Sequence, residues 1–134
     1  MPDQIFLHVV WTTRSREPVL TAEAAGFLER FLPAIAREER AEVLAVGVVR
    51  SHVHVLVRVH PTTQVPRLLQ RWKGGSALAA TREGVMRARA LSWAKAYSVT
   101  SVSPRQLSAA ADYVRNQARR HPQEAIERDA SIVA

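Results

Sequence analysis

The stretch Ser51-His52-Val53-His54-Val55-Leu56-Val57-Arg58-Val59-His60 decides how the chain is read. Side chains of a β-strand alternate between two faces, and valine fills every odd position from 53 to 59. That row predicts a strand over residues 52–60 with its odd face in a core. The even face carries His52, His54, Leu56, Arg58 and His60, so two imidazoles stand two residues apart on a rigid element. Such a pair can hold one divalent ion between two ring nitrogens. The competing reading is a solvated strand face that happens to include histidines.

The flanking sequence builds a sheet around this strand. Ile5 to Thr13 is rich in β-branched and aromatic residues and ends at the polar run Arg14-Ser15-Arg16-Glu17-Pro18, which predicts a first strand and a loop. From Thr21 to Arg40 the spacing of Ala24, Phe27, Leu28, Phe31 and Leu32 is helical, with a kink expected at Pro33. A strand from Glu42 to Arg50 follows, with Ser51 near the turn into the valine-rich strand. A second helix starts at about Thr63 on the stripe Val65, Leu68, Leu69 and Trp72, and Gly74-Gly75 should weaken or break it.

Thr81 to Arg89 reads as a loop or frayed helix, and Leu91 to Val102 as a fourth strand with Trp93, Tyr97 and Val99 on one face. Ser103 and Pro104 suit an N-cap and first helical position, opening a last helix to about Arg120 that Pro122 terminates. The order β-α-β-β-α-β predicts an α+β fold: a ferredoxin-like or RNA-recognition-like antiparallel sheet with helices on one face, plus a C-terminal helix. We expect one domain over residues 1–134, with an ordered core at 5–121 and a mobile tail at 122–134.

Composition narrows the partners. The chain has 134 residues, a formal charge of +7 and 47% hydrophobic residues, too apolar for a disordered basic tail. Arginine supplies 17 of the 19 basic side chains. Its planar fork binds phosphate bidentately and stacks on bases, which favours a polyanionic partner; an Arg-rich genome would produce the same bias. The absence of cysteine excludes disulfides, thiolate metal sites and a thiol nucleophile, and fits a cytoplasmic protein. The start Met-Pro-Asp-Gln is not a positively charged signal, and no apolar run approaches the roughly 18 residues of a membrane span.

The last helix strengthens the metal reading. Leu107, Ala111, Val114 and Ala118 form its apolar stripe, while Tyr113 and Gln117 lie four apart on another face and project together. Two neutral imidazoles and one amide oxygen can hold a cation and leave positions open for phosphate oxygens, beside a phenol able to act as a nucleophile. The plainer reading makes Tyr113 a partly buried aromatic and Gln117 an ordinary surface residue.

His8-Val9-Val10-Trp11-Thr12-Thr13-Arg14, His52-Val53-His54, Arg71-Trp72-Lys73-Gly74-Gly75-Ser76, Trp93 to Tyr97, and Tyr113-Val114-Arg115-Asn116-Gln117 together resemble the single-tyrosine HUH transposases of small bacterial and archaeal insertion sequences, and their palindrome-associated single-copy relatives. The likeness runs from about Phe6 to His121. It implies a homodimer that binds single-stranded hairpin DNA and cleaves it to leave a 5′-phosphotyrosine and a free 3′-hydroxyl. By position Tyr113 is similar to the nucleophile, and His52, His54 and Gln117 to the metal ligands. Mg²⁺ or Mn²⁺ suits the hard oxygen ligands, and Zn²⁺ the imidazoles.

For DNA contact, Arg14, Arg16, Arg67, Arg71, Lys73 and Arg115 flank the motifs. His8 matches the first-strand motif, yet in such a strand it reads first as a hydrogen-bonded core residue. Trp11, Trp72 and Trp93 read as core. The chain departs from the family's pattern in a short, Ala- and Arg-rich segment from Ala77 to Leu91, and in Ala96 where glycine is common. Three alternatives stay open: a metal-free nucleic-acid-binding module on the same fold, a phosphoesterase using His52 and His54 to activate water, and a domesticated relative serving its host.

Overall fold

The computed structural model describes residues 4–86 and 90–126. Four strands, β1 (Ile5–Thr13), β2 (Ala41–Val48), β3 (His52–Val59) and β4 (Trp93–Val102), form one antiparallel sheet in the order β2-β3-β1-β4. Helices α1 (Ala22–Glu38) and α2 (Val65–Arg82) make the two crossovers, and α3 (Leu107–Arg115) and α4 (Gln117–Arg120) follow β4. This is the α+β arrangement that the order of elements predicted.

The period-two pattern is what sorts the two faces. Val53, Val55, Val57 and Val59, with Val9 and Trp11 of β1, pack on α1 and α2 in the larger core. Trp11 stacks on Trp72 at 5.8 Å and meets Trp93 edge-on, and Trp72 Nε1 donates to the Leu32 carbonyl at 3.0 Å. The opposite face is closed by α3, whose Val114 packs with Ala45 and Leu56. Leu56 therefore has no exposure although it belongs to the even row, while Arg58 further along that row remains exposed.

Three local expectations need correction. Helix α2 runs unbroken through Gly74 and Gly75. A methyl group on Gly75 would sit 3.1 Å from Cζ of Phe31, so that glycine serves the close packing of α1 on α2, and tertiary contact outweighs its weak propensity. The last helix is not continuous: a short 3₁₀ turn at Pro104–Gln106 precedes α3, and the chain breaks at Asn116 before α4. The start of the expected mobile tail is tied down. Arg50 N–H donates to the Glu124 carbonyl at 2.9 Å, Arg50 Nε to the Ala125 carbonyl at 3.0 Å, and Ile126 packs against the larger core. The rest of that tail, 127–134, and residues 87–89 lie outside the described residues.

Candidate active site

His54 sits in the middle of the sheet, paired with Val10 of β1 on one side and Gly47 of β2 on the other. His8 is its diagonal neighbour across β1 and β3 on the same face. The two rings stack with centroids 5.0 Å apart, and His8 Nε2 lies 2.8 Å from His54 Nδ1. His52 follows on the same row, its ring centroid 5.1 Å from that of His54. Both strand histidines are only 7% exposed.

The tyrosine helix lies directly over these rings. The Tyr113 ring meets His54 edge-on at 5.9 Å and His8 at 5.8 Å. Gln117, one turn on, is buried and donates from Nε2 to the Tyr113 carbonyl at 2.8 Å. That bond uses one of the amide's two N–H groups and fixes its orientation, and Oε1 is buried without a hydrogen-bond partner. An orphaned buried acceptor costs about 1–3 kcal/mol, and a bound cation is one way to satisfy it. Gln117 also acts on the His52 imidazole, which puts the two side chains together.

Close approach of this helix to the sheet depends on Gly47. A Cβ built there would lie 1.9 Å from the Val114 carbonyl oxygen and 3.1 Å from Gln117 Cγ. The glycine directly across from His54 is thus the seat on which Tyr113 and Gln117 come down. Nothing in its sequence context singled it out.

Electrostatics keep the imidazoles neutral, the form that binds metal. Burial first, then the neighbouring His8, His52 and His121, push His54 down to about 3. Burial also lowers His8 and His52, the latter opposed by the Glu124 carboxylate.

Two parts of this neighbourhood were not read from the sequence. Glu124 lies in the segment expected to be mobile, yet its Oε1 accepts from Ser51 Oγ and its Oε2 is 3.8 Å from His52 Nδ1. Arg120 lies over the Tyr113 ring, 4.4 Å from its centroid. For Glu124 the expectation of a mobile tail masked the signal of a carboxylate; Arg120 lay in the expected helix, and nothing in its spacing marked it off from the other arginines there. Among the described residues no three His, Cys, Asp or Glu side chains are grouped to hold a metal; the candidate set is two imidazoles and an amide.

The basic residues named for DNA contact are scattered. Arg16 sits in the turn after β1 with a positive φ of 52°, following Ser15 at 56°, and its charge reaches His52. Arg14 is exposed in the same turn. Arg71 bonds Glu38 and Glu39 at 2.8 Å each, and Arg67 shares Glu39 at 3.2 Å, so both are already paired at the C-terminal end of α1 and its cap. Lys73 donates to the Lys95 carbonyl at 2.9 Å and lies over Tyr97. Arg115 reaches the Leu44 carbonyl at 3.3 Å.

Residues 3–117 match the family model described as "Transposase IS200 like". The chain belongs to the IS200-like transposases. One relative within reach of sequence comparison is the ISDra2 transposase TnpA of Deinococcus radiodurans, 34% identical over 74 residues, which cover 55% of this chain. The match spans 53% of that relative's length. A crystal structure of a protein from Deinococcus radiodurans R1 assigned as a transposase superposes with a TM-score of 0.70 at 23% identity, covering 95% of each chain. A REP-associated tyrosine transposase bound to a REP hairpin gives 0.67 at 14% identity, covering 90% of this chain and 70% of the other. At these identities the two structures show a shared fold.

In this IS200-like transposase the family match ends at Gln117, so it takes in His8, His52, His54, Tyr113 and Gln117 and stops before Arg120 and Glu124. No helix among the described residues is long and apolar enough to cross a membrane.

Proposed function

We propose that the protein is a metal-dependent transposase that cleaves single-stranded hairpin DNA and rejoins it through a phosphotyrosine at Tyr113. The observation that carries this reading is the meeting of His52, His54 and the orphaned Gln117 Oε1 beneath the ring of Tyr113. The hairpin held by one structural neighbour supports hairpin DNA as the partner. Family membership supports DNA transposition, and the homodimer remains what the resemblance implies.

The donor set suits a divalent cation such as Mg²⁺ or Mn²⁺, held by His52, His54 and Gln117. When bound, such an ion would neutralise a non-bridging phosphate oxygen and polarise phosphorus.

The chain's own residues do the rest. Tyr113 presents its phenol beside the paired imidazoles, and Gln117 ties that helix turn to the site through the Tyr113 carbonyl. Arg120 covers the ring face, its guanidinium 4.4 Å from the centroid, and puts a positive charge where a phosphate would approach the ring. Attack by the phenol oxygen forms an O–P bond as the bond from phosphorus to the 3′-oxygen breaks, and the phenol's proton is balanced by protonation of the released 3′-oxygen, which becomes a hydroxyl. One phosphodiester replaces another. The reverse attack, by a different 3′-hydroxyl, completes strand transfer without ATP.

A second reading draws on Glu124. A carboxylate near His52 could serve a phosphoesterase that activates water. The test is to cleave an end-labelled single-stranded hairpin pool in Mn²⁺ or in EDTA. Tyrosine chemistry predicts metal-dependent products whose 5′ ends are blocked by protein, and loss of cleavage in Tyr113→Phe. Free 5′-phosphate ends that persist in Tyr113→Phe would establish hydrolysis instead, and hairpin binding unaffected by EDTA with no cleavage would establish a binding module.

A further inference from the structure

We propose that His8 is a positioning residue for the site: it accepts a hydrogen bond from His54 Nδ1 and so fixes the tautomer of His54 that leaves Nε2 bare. The contact is direct, 2.8 Å between His8 Nε2 and His54 Nδ1, on two rings stacked in the sheet.

The companion imidazole shows why this direction of donation matters. Ser51 Oγ donates its proton to the Glu124 carboxylate, which can only accept. With that proton spent, Ser51 Oγ meets His52 Nδ1, 3.2 Å away, as an acceptor. His52 therefore carries its proton on Nδ1 and leaves Nε2 bare. The bond between His8 and His54 is symmetric by itself, since either ring could donate. Two imidazoles on one strand serve a common ion only if both turn a bare nitrogen to it, and their Nδ1 atoms are both taken up by outer partners. His54 must then donate from Nδ1 and His8 must accept at Nε2, with the His8 proton on its own Nδ1.

The two histidines thus have matched outer partners from different parts of the chain: Ser51 with Glu124 for His52, and His8 of β1 for His54. Outer hydrogen bonds of this kind set ring orientation and tautomer, and their loss costs roughly 10–100-fold in metal affinity. The direction of donation between His8 and His54 rests on the metal-site reading above, and the tautomer it predicts is measured on metal-free protein.

Long-range ¹H–¹⁵N correlation spectra of metal-free protein report which nitrogen of each histidine ring carries the proton. The expected result is His54 protonated at Nδ1 in the wild type and in His8→Gln, whose Oε1 can accept from the same place, and a mixture of tautomers in His8→Leu. Mn²⁺ titration should then show a dissociation constant roughly 10–100-fold higher in His8→Leu, restored towards wild type in His8→Gln. Zn²⁺, used as a diamagnetic probe, should move the Nε2 signals of His52 and His54 and neither nitrogen of His8.

A proton on His54 Nε2 in the wild type overturns the proposal, as does an unchanged tautomer in His8→Leu or direct uptake of Zn²⁺ by His8. If His8→Leu does not fold, the wild-type spectrum still decides. If wild-type protein binds neither ion, it is the metal-site reading that fails, and the tautomer is judged from the metal-free spectra alone.

Discussion

The backbone of Gly47 passes so close beneath Val114 that a Cβ on it would lie 1.9 Å from the Val114 carbonyl oxygen. Because that contact is with backbone, no side-chain rotation can relieve it, and a methyl group must lift the tyrosine helix from the sheet. Gly47→Ala is expected to destabilise the fold by about 1–3 kcal/mol, the usual cost of overpacking. It should also separate Tyr113 and Gln117 from His54 and lower DNA cleavage more than hairpin binding. Denaturant unfolding and a cleavage assay on the same preparation check both effects.

Gly74 offers the opposite case. A Cβ there meets nothing within 4 Å, and the residue lies inside α2. Gly74→Ala should therefore stabilise the protein by about 0.5–1 kcal/mol through helix propensity. Gly75→Ala should gain less or lose, since it presses on Phe31. The difference in unfolding midpoints between the two variants is the measurement.

These two glycines mark how far the sequence could be read. Alternation of valine in β3 gave the strand, its buried face and the row of histidines, because period two is a local property that burial enforces. Helical spacing likewise placed Tyr113 and Gln117 together. What joins the row to the helix is non-local: α3 packs on the face opposite α1 and α2, and only Gly47 lets it descend. The Gly74-Gly75 pair reads as a break because propensity is local, while the α1 contact that keeps α2 intact is not. Glu124 was missed for the same reason, since Arg50, Ser51 and the larger core hold its segment from far away in the chain.

The buried histidines make stability depend on pH. Folding lowers His54 from the ordinary value of 6.5 to about 3. Between those values the unfolded chain binds a proton that the folded chain does not, so stability rises with pH across this window. The contribution is fully present above about pH 6.5 and is lost as pH falls toward 3. Metal-free protein should lose on the order of 2 kcal/mol between pH 7 and pH 5 through this residue, at about 1.4 kcal/mol per unit. His54→Gln should flatten that slope in denaturant titrations, and an equally steep slope in the variant would refute the assignment.

Basic side chains should divide by what already holds them. Arg71 is shared by two carboxylates at the C-terminal end of α1, Glu38 and the capping Glu39, whereas Arg16 stands in a strained turn and its charge reaches His52. Arg16→Ala is expected to weaken single-stranded DNA binding and to reduce the slope of log affinity against log salt by about 0.7, one phosphate contact. Arg71→Ala should change that slope less. Fluorescence anisotropy across a salt series distinguishes them, and equal changes would place Arg71 on the DNA as well.

The most direct test of the account is the covalent link itself. Purified protein incubated with a pool of single-stranded hairpins and Mn²⁺ should yield a species that survives denaturation and, after digestion, a nucleotide attached to the peptide bearing Tyr113 by mass spectrometry. The account predicts this adduct in Mn²⁺, its absence in EDTA, and its absence in Tyr113→Phe. Hairpins that bind the protein yet never become attached to Tyr113, or an adduct that persists in Tyr113→Phe, would contradict it.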